Sequence, residues 1–213
     1  MKLYTYFRSS AAYRVRIALA LKGLAYDSAP VHLVRDGGQQ HRPDYLAVNP
    51  QGLVPALVDG GRVITQSLAI LEYLEEKHPK PALLPRDPAQ RAQVRAACLA
   101  IACDIHPLNN LRVLNYLRQT LGQDETAVST WYAHWIAAGF EGLEKSLQAS
   151  AGAYCFGDTV TLADVCLVPQ MANARRFKVD VTPCPLLSAI CDRLGALPAF
   201  QQAVPENQPD AEA

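Results

Sequence analysis

The sequence predicts a mixed α/β domain followed by an all-helical one, and three observations carry that prediction. The first 80 or so residues alternate short β-type runs with helical patterns, in the order β-α-β and then β-β-α. Four prolines then fall within the eleven residues His78–Pro88, which forbids a continuous helix and suits a linker. Beyond them the patterning is helical almost throughout, with no convincing strand. The expected division is therefore residues 1–79, a linker at 80–88 and a helical part at 89–213. A chain of 213 residues accommodates two compact domains of ordinary size.

Taken in order, the first strand, Leu3 to Phe7, breaks at Arg8-Ser9-Ser10 and an apolar helix pattern begins at once. Two adjacent hydroxyls thus sit at a strand-to-helix handover. Free backbone N–H groups and the positive end of the helix dipole favour an anion there, and a thiolate is one such anion. Simple capping by Ser9 or Ser10 is the competing explanation. Val15, Ile17, Ala18, Leu19 and Leu21 span too wide an arc for one exposed face, so this helix should be largely buried, with Gly23 at its C-terminal cap. The run Asn49-Pro50-Gln51-Gly52-Leu53-Val54-Pro55-Ala56-Leu57 places Pro55 near the start of an apolar strand. A cis Val54–Pro55 bond is expected, aiming the Val54 N–H and C=O at the backbone of an extended ligand. Gln66 and Ser67 open the next helix, another anion-friendly start that capping alone could also explain.

After the linker, helices are expected over Ala89 to about Leu121, Thr126 to about Ala149, Leu162 to Phe177 and Pro185 to Leu194, with another near Ala199. Pro107 predicts a kink in the first of these. Thr161 and Asp164 have capping-box spacing, so Asp164 reads as a structural acid and not a catalytic one. The final stretch, 205–213, is polar and proline-broken and reads as loose.

Composition removes several function classes. Twenty basic and twenty acidic residues cancel, which argues against a nucleic-acid surface and against general electrostatic binding to membranes. No apolar run approaches the ~18–20 residues of a membrane span, and no signal-peptide pattern is visible at the N-terminus. The six cysteines form no CxxC pair and read as free, buried thiols in a reducing cytoplasm. Five scattered histidines offer no HxxxH or HExxH spacing, so no metal site is expected.

Seven segments, SSAAYRVRIALALKG, DGGQQ, NPQGLVPAL, QSLAILEYLEE, DIHPLNNLRVL, GDTVTLADVCLVPQ and RRFKVD, occur in that order over nearly the whole chain. In this the sequence resembles the zeta class of glutathione transferases, which includes maleylacetoacetate isomerase. The resemblance implies a thioredoxin-like glutathione-binding domain followed by a helical substrate-binding domain. It implies a homodimer, glutathione as cofactor and a small dicarboxylate as substrate. The implied reaction is the cis–trans isomerisation of maleylacetoacetate to fumarylacetoacetate, a step of tyrosine and phenylalanine breakdown, by reversible thiolate addition. Maleylpyruvate isomerisation, transfer to small haloacids and a non-catalytic binding role are the alternatives.

Glutathione needs anion-binding helix starts, a strand-like backbone to pair with and a donor for its sulfur. Gln66 and Ser67 suit its γ-glutamyl carboxylate, Val54 its backbone, and Ser9 and Ser10 its thiol, with Gln40 placed at the peptide by the resemblance. A serine hydroxyl stays protonated at neutral pH, so its role is hydrogen-bond donation that lowers the thiol pKa from about 8.5. The resemblance favours Ser9 over Ser10. For the dicarboxylate, arginine provides paired hydrogen bonds; Arg8, Arg14, Arg112 and Arg176 are the candidates, and the RF pair singles out Arg176. His106, Asn110 and Arg112 interrupt an apolar helix and are expected to line a cleft between domains and to contact the cofactor there. One departure matters. Where zeta enzymes often read Ser-Ser-Cys-Ser-Trp-Arg, this chain has Ser9-Ser10-Ala11-Ala12-Tyr13-Arg14, so no protein cysteine can act as nucleophile at that position.

Overall fold

The computed structural model describes residues 1–212, and the expected β-α-β, β-β-α order is present in its first 77 residues. Strand β1 (Lys2–Thr5) leads into helix α1 (Ser10–Leu21), and β2 (Asp27–Pro30) follows. A one-turn helix α2 (Pro43–Leu46) precedes the hairpin of β3 (Ala56–Asp59) and β4 (Arg62–Thr65), and α3 (Ser67–Lys77) closes the motif. The sheet order is β2-β1-β3-β4, with β1 parallel to β2 and antiparallel to β3, and β4 antiparallel to β3. Pro55 immediately precedes β3, where its missing N–H costs no ladder hydrogen bond. The Val54–Pro55 bond is cis, as expected from the sequence, and so is Lys80–Pro81.

Helix α1 is buried along most of its length because its apolar positions encircle it, and it packs against α3. It stops at Gly23, whose φ of 63° allows the Leu24 N–H to reach the Leu19 carbonyl and its own N–H to reach that of Ala20. The buried Lys22 ammonium donates to Glu75 of α3 at 2.7 Å and to the carbonyls of His78 and Pro81. Glu75 in turn accepts from the Leu83 N–H. This web ties the start of the proline-rich stretch to the α/β core.

The chain accordingly divides into two compact units, residues 1–83 with 196–213, and residues 84–195. The C-terminal stretch from residue 196 clusters with the first unit, whereas the sequence grouped it with the 89–213 helical part. The described residues of 205–212 are also more ordered by contacts than their polar, proline-broken composition suggests, and Ala213 lies outside the described residues. Helix α9 (Pro198–Ala203) packs on α1, and the buried Arg16 donates to the Ala203 carbonyl at 3.1 Å.

The second unit is built from α4 (Pro88–Leu99), α5 (Leu111–Gln119), α6 (Glu125–Leu147), α7 (Leu162–Arg176) and α8 (Pro185–Gly195). The continuous helix expected from Ala89 to about Leu121 is broken. A π-helical segment at Ala100–Ile105 and a 3₁₀ turn at His106–Asn109 separate α4 from α5. Pro107 accounts for the break, since it supplies no N–H to the ladder. Thr161 and Asp164 form the expected capping box: the Asp164 carboxylate accepts from the Thr161 N–H and hydroxyl and from the Cys155 N–H at 2.7–2.9 Å. Burial raises the Asp164 pKa above the usual carboxylate range. Five cysteines are buried free thiols, but Cys103, in the π-helical segment, is exposed, contrary to expectation.

Candidate active site

In the first unit, Ser9 is the N-cap of α1. Its Oγ accepts from the Ala12 N–H at 3.2 Å, so the capping role is real. Capping uses one lone pair, and a hydroxyl also carries a proton to donate. Among the described residues no protein group accepts that proton. No acid lies in the first turn of α1 either, so the helix start keeps its affinity for an anion. Ser10 is buried at the first helical position.

Helix α3 starts similarly. Gln66 precedes it at φ 67°, does not cap it, and donates instead to the Gln51 amide oxygen at 3.0 Å. Ser67 is buried, and its Oγ accepts from the Arg14 guanidinium at 3.1 Å, which leaves its own proton to donate. Again no acid lies in the first turn. Arg14, expected from the sequence as a substrate candidate, is 1% exposed: buried on α1, it fixes Ser67 and thereby links the two helix starts.

Val54 lies outside the strand ladder, and no hydrogen bond among the described residues uses its N–H or C=O. Two groups the sequence did not single out hold the loop before it. Tyr45 Oη and Asn49 Nδ2 both donate to the Leu53 carbonyl, at 2.6 and 2.7 Å. Burial pushes the Tyr45 phenol up to about 12, so it remains a donor at any ordinary pH. Gln40 is buried, and its Nε2 donates to the Leu33 carbonyl at 3.2 Å while its Oε1 is a buried acceptor with no protein partner. A buried acceptor without a donor is costly unless something else supplies one. A peptide N–H is such a donor. Uncompensated helix starts, unused backbone at Val54 and the Gln40 acceptor together fit a ligand with carboxylates, a peptide backbone and a thiol. Glutathione has that donor and acceptor set.

Arg8 is exposed, with its guanidinium 4.8 Å from the Phe7 ring centroid, and no ion pair engages it among the described residues. In the second unit, Arg175 and Arg176 differ. Arg175 donates to Asp192 at 2.6 Å, whereas the exposed Arg176 has no acid partner and sits 4.6 Å from the Phe177 ring centroid. Phe177 stacks on Tyr132 at 4.0 Å between centroids. The 3₁₀ turn is pinned to the same stretch of α6, because Asn109 Nδ2 donates to the Tyr132 carbonyl and Trp131 Nε1 to that of Leu108. Asn110 caps α5 by accepting from the Arg112 N–H at 3.1 Å, the Arg112 side chain is exposed, and His106 is half-buried at the start of the turn. The 106–112 segment and Arg176 are thus joined within one unit through Tyr132.

Residues 3–82 match the family model described as "Glutathione S-transferase, N-terminal domain". A probable maleylacetoacetate isomerase of Vibrio cholerae is 56% identical over 209 residues, covering 98% of this chain and 97% of the relative. The chain belongs to the zeta class of glutathione transferases. A solved holo maleylpyruvate isomerase, described as a bacterial zeta-class transferase, superposes with a TM-score of 0.96 at 50% identity, with both chains fully covered. A maleylacetoacetate isomerase from Methylobacterium extorquens AM1, solved with bound malonate and glutathione, gives the same TM-score at 42% identity, again with both chains fully covered. In zeta-class terms residues 3–82, within the first unit, are the thioredoxin-like part. Tyr45, Asn49 and Gln51 escaped the sequence analysis because their contribution is to hold neighbouring backbone and side chains, and no spacing rule marks that role.

Proposed function

We propose that this chain is a glutathione-dependent cis–trans isomerase acting on maleylacetoacetate. The observation that carries the proposal is Ser9: it caps a helix with no acid in its first turn and keeps a hydroxyl proton that no group among the described residues accepts. Bound glutathione supplies a thiolate that adds reversibly to an activated cis double bond and leaves once the bond has rotated, returning the cofactor unchanged. The chain's own work is to hold and polarise. Ser9 donates to the sulfur and, with the start of α1, favours its ionised form. Ser67 and the neighbouring N–H groups take a carboxylate, Val54 pairs with extended backbone, and Gln40 accepts a peptide N–H. Arg176 binds a carboxylate of the acid and stabilises negative charge as it develops.

The same residues suit maleylpyruvate, and the full-length similarity to a maleylpyruvate isomerase favours that acid as the second reading. The family resemblance also supports a homodimer, which sedimentation would test. Turnover of the two acids, each with and without glutathione, tests the proposal. Maleylacetoacetate should be isomerised only with glutathione, and equal rates without it would end this reading. Arg176→Lys keeps the charge but loses the paired geometry, so the KM for the acid should rise about three- to tenfold. The bound thiol should titrate as in the wild type. If every kinetic constant is unchanged, Arg8 or Arg112 holds the substrate.

A further inference from the structure

The strongest unexplained feature lies 200 residues from Ser9 in sequence. The Asp210 carboxylate accepts the Phe7 N–H at 2.9 Å, two residues before the serine. The buried Arg16 holds the same loop from the other side, donating to the carbonyls of Tyr6 and Phe7 at 3.3 and 3.0 Å and to Thr5 Oγ1. The Tyr6 carbonyl also accepts the Ser9 N–H at 2.9 Å, so the position of Ser9 follows from that of Tyr6 and Phe7. Arg16 is itself bonded to the Ala203 carbonyl. Two further contacts bind the same terminal stretch. Ala211 packs against the cluster of Tyr6, Phe7, Val31, Tyr45 and Val54, and Glu212 pairs with Arg35 at 2.6 Å and His32 at 3.1 Å. One short segment therefore touches the backbone that presents Ser9 and the cluster that includes Val54.

We infer that the C-terminal segment is part of the thiol site, and that Asp210 is a positioning residue for Ser9, acting through the Phe7 N–H. The inference rests on the glutathione site proposed above. A loop between a strand end and a helix start has few hydrogen bonds of its own, so its geometry depends on what holds it. Here both holds on the loop involve residues 203 and 210. Burial lowers the Arg16 pKa to about 10, which leaves it charged at neutral pH and able to hold its carbonyls. A tail contact that served the fold alone would alter melting and leave the sulfur's ionisation as it was.

The test uses the full chain with Asp210→Ala, Asp210→Asn and Glu212→Gln. Ultraviolet titration of the thiolate of bound glutathione is read beside calorimetric glutathione binding, and hydrogen exchange of the Phe7 and Ala12 amides is read without glutathione. Asp210→Ala should speed exchange at Phe7, raise the thiol pKa and weaken glutathione-dependent turnover about tenfold, the loss typical of one charge-assisted hydrogen bond. Asp210→Asn keeps an acceptor for the N–H and should restore most of the loss. Glu212→Gln removes only the outer ion pairs and should leave the titration unchanged. If Asp210→Ala lowers the melting temperature while the bound thiol titrates as in the wild type, the inference is overturned. Should Asp210→Ala fail to fold, Asp210→Glu, which keeps the charge but displaces the carboxylate by one methylene, should speed exchange at Phe7 and shift the thiol titration upward, and faster Phe7 exchange beside an unshifted titration refutes the idea equally. Wild-type protein that binds no glutathione would instead refute the underlying site.

Discussion

Helix starts in the two units are finished differently. In the second unit, α4, α6, α7 and α8 each begin on a carboxylate of the chain itself: Asp87 accepts from Gln90, Asp124 from Ala127, Asp164 from Thr161, and Glu144 from Leu186 and Leu187. Those N–H groups and dipoles are already satisfied. In the first unit, α1 and α3 begin at Ser9 and Gln66 with no acid in the first turn. Thr161 and Ser9 make the contrast sharpest. Both are hydroxyl N-caps, yet Thr161 gives its proton to Asp164 whereas Ser9 has no protein acceptor for its own. A hydroxyl before a helix therefore says little by itself. What decides its role is whether the chain also supplies the anion. The one second-unit exception, α5, starts at Asn110 without an acid, in the segment that the sequence marked as lining a ligand cleft.

Removing the acid where it is supplied should have the largest effect. Asp164→Ala strands the buried N–H groups of Thr161 and Cys155, and the cost should be about 3 kcal/mol or more, read by denaturant unfolding. Because the acid completes a cap and touches no reactant, material that remains folded should isomerise at the wild-type rate. A large loss of kcat in folded protein would mean that the two kinds of helix start are not functionally distinct.

Ser9→Ala removes the donor where no acid is supplied. Glutathione-dependent kcat/KM should fall about ten- to a hundredfold at neutral pH, equivalent to roughly 1.5–3 kcal/mol. The pH–rate profile should move upward, and much of the loss should return at alkaline pH, where the thiol ionises unaided. Loss of the Ala12 cap adds about 1 kcal/mol of instability. If the thiol titration does not move, Ser10 takes the role.

Ala11→Asp would turn the α1 start into the second-unit kind by placing an acid in its first turn. The helix should gain at most about 1 kcal/mol from the dipole. A carboxylate beside the sulfur disfavours thiolate, so the bound thiol pKa should rise and glutathione-dependent turnover should fall about tenfold. Unchanged titration would show that the dipole and free N–H groups of α1 do not face the thiol.

Most of this arrangement was legible in the sequence where local backbone chemistry sets it. The order of β1, α1, β2, β3, β4 and α3, the cis bond before Pro55, both open helix starts and the Thr161–Asp164 box all follow from turn residues, caps and periodicity. What was not legible depends on distant partners. Arg14 looked like a substrate arginine until its burial against Ser67 was visible. Residues 205–212 looked loose because composition reports the entropy of a segment and not the anchors waiting for it at Phe7, Arg35 and His32. The break between α4 and α5 was legible only as a kink. How a chain reorganises around Pro107 depends on Trp131 and Tyr132, two dozen residues further on.

The smallest expected effect separates the start of α3 from its end. Asp59 lies at the far end of that helix, where it accepts from Lys77 and Tyr73, and these hydrogen bonds hold its pKa below the usual aspartate range. A carboxyl with a lowered folded pKa adds stability that is present above the unfolded value of about 3.9 and is lost as pH falls through the folded value. Asp59→Asn should therefore lower the melting temperature by only about one or two degrees at pH 7, as expected of an exposed pair. The difference from wild type should begin to shrink below about pH 4 and vanish once the pH has fallen past the lowered folded value, where both proteins carry a neutral side chain at this position. Salt should shrink it too, because the Lys77 side chain is 43% exposed and its charge is screened. Glutathione affinity and thiol titration should not change, since in the proposed site the cofactor meets only the start of α3, where Ser67 has Arg14 behind it and no acid lies in the first turn. A shifted thiol titration in Asp59→Asn would show that charge at one end of α3 sets the anion affinity of the other, and the contrast between open and satisfied helix starts would then have to be drawn over whole helices.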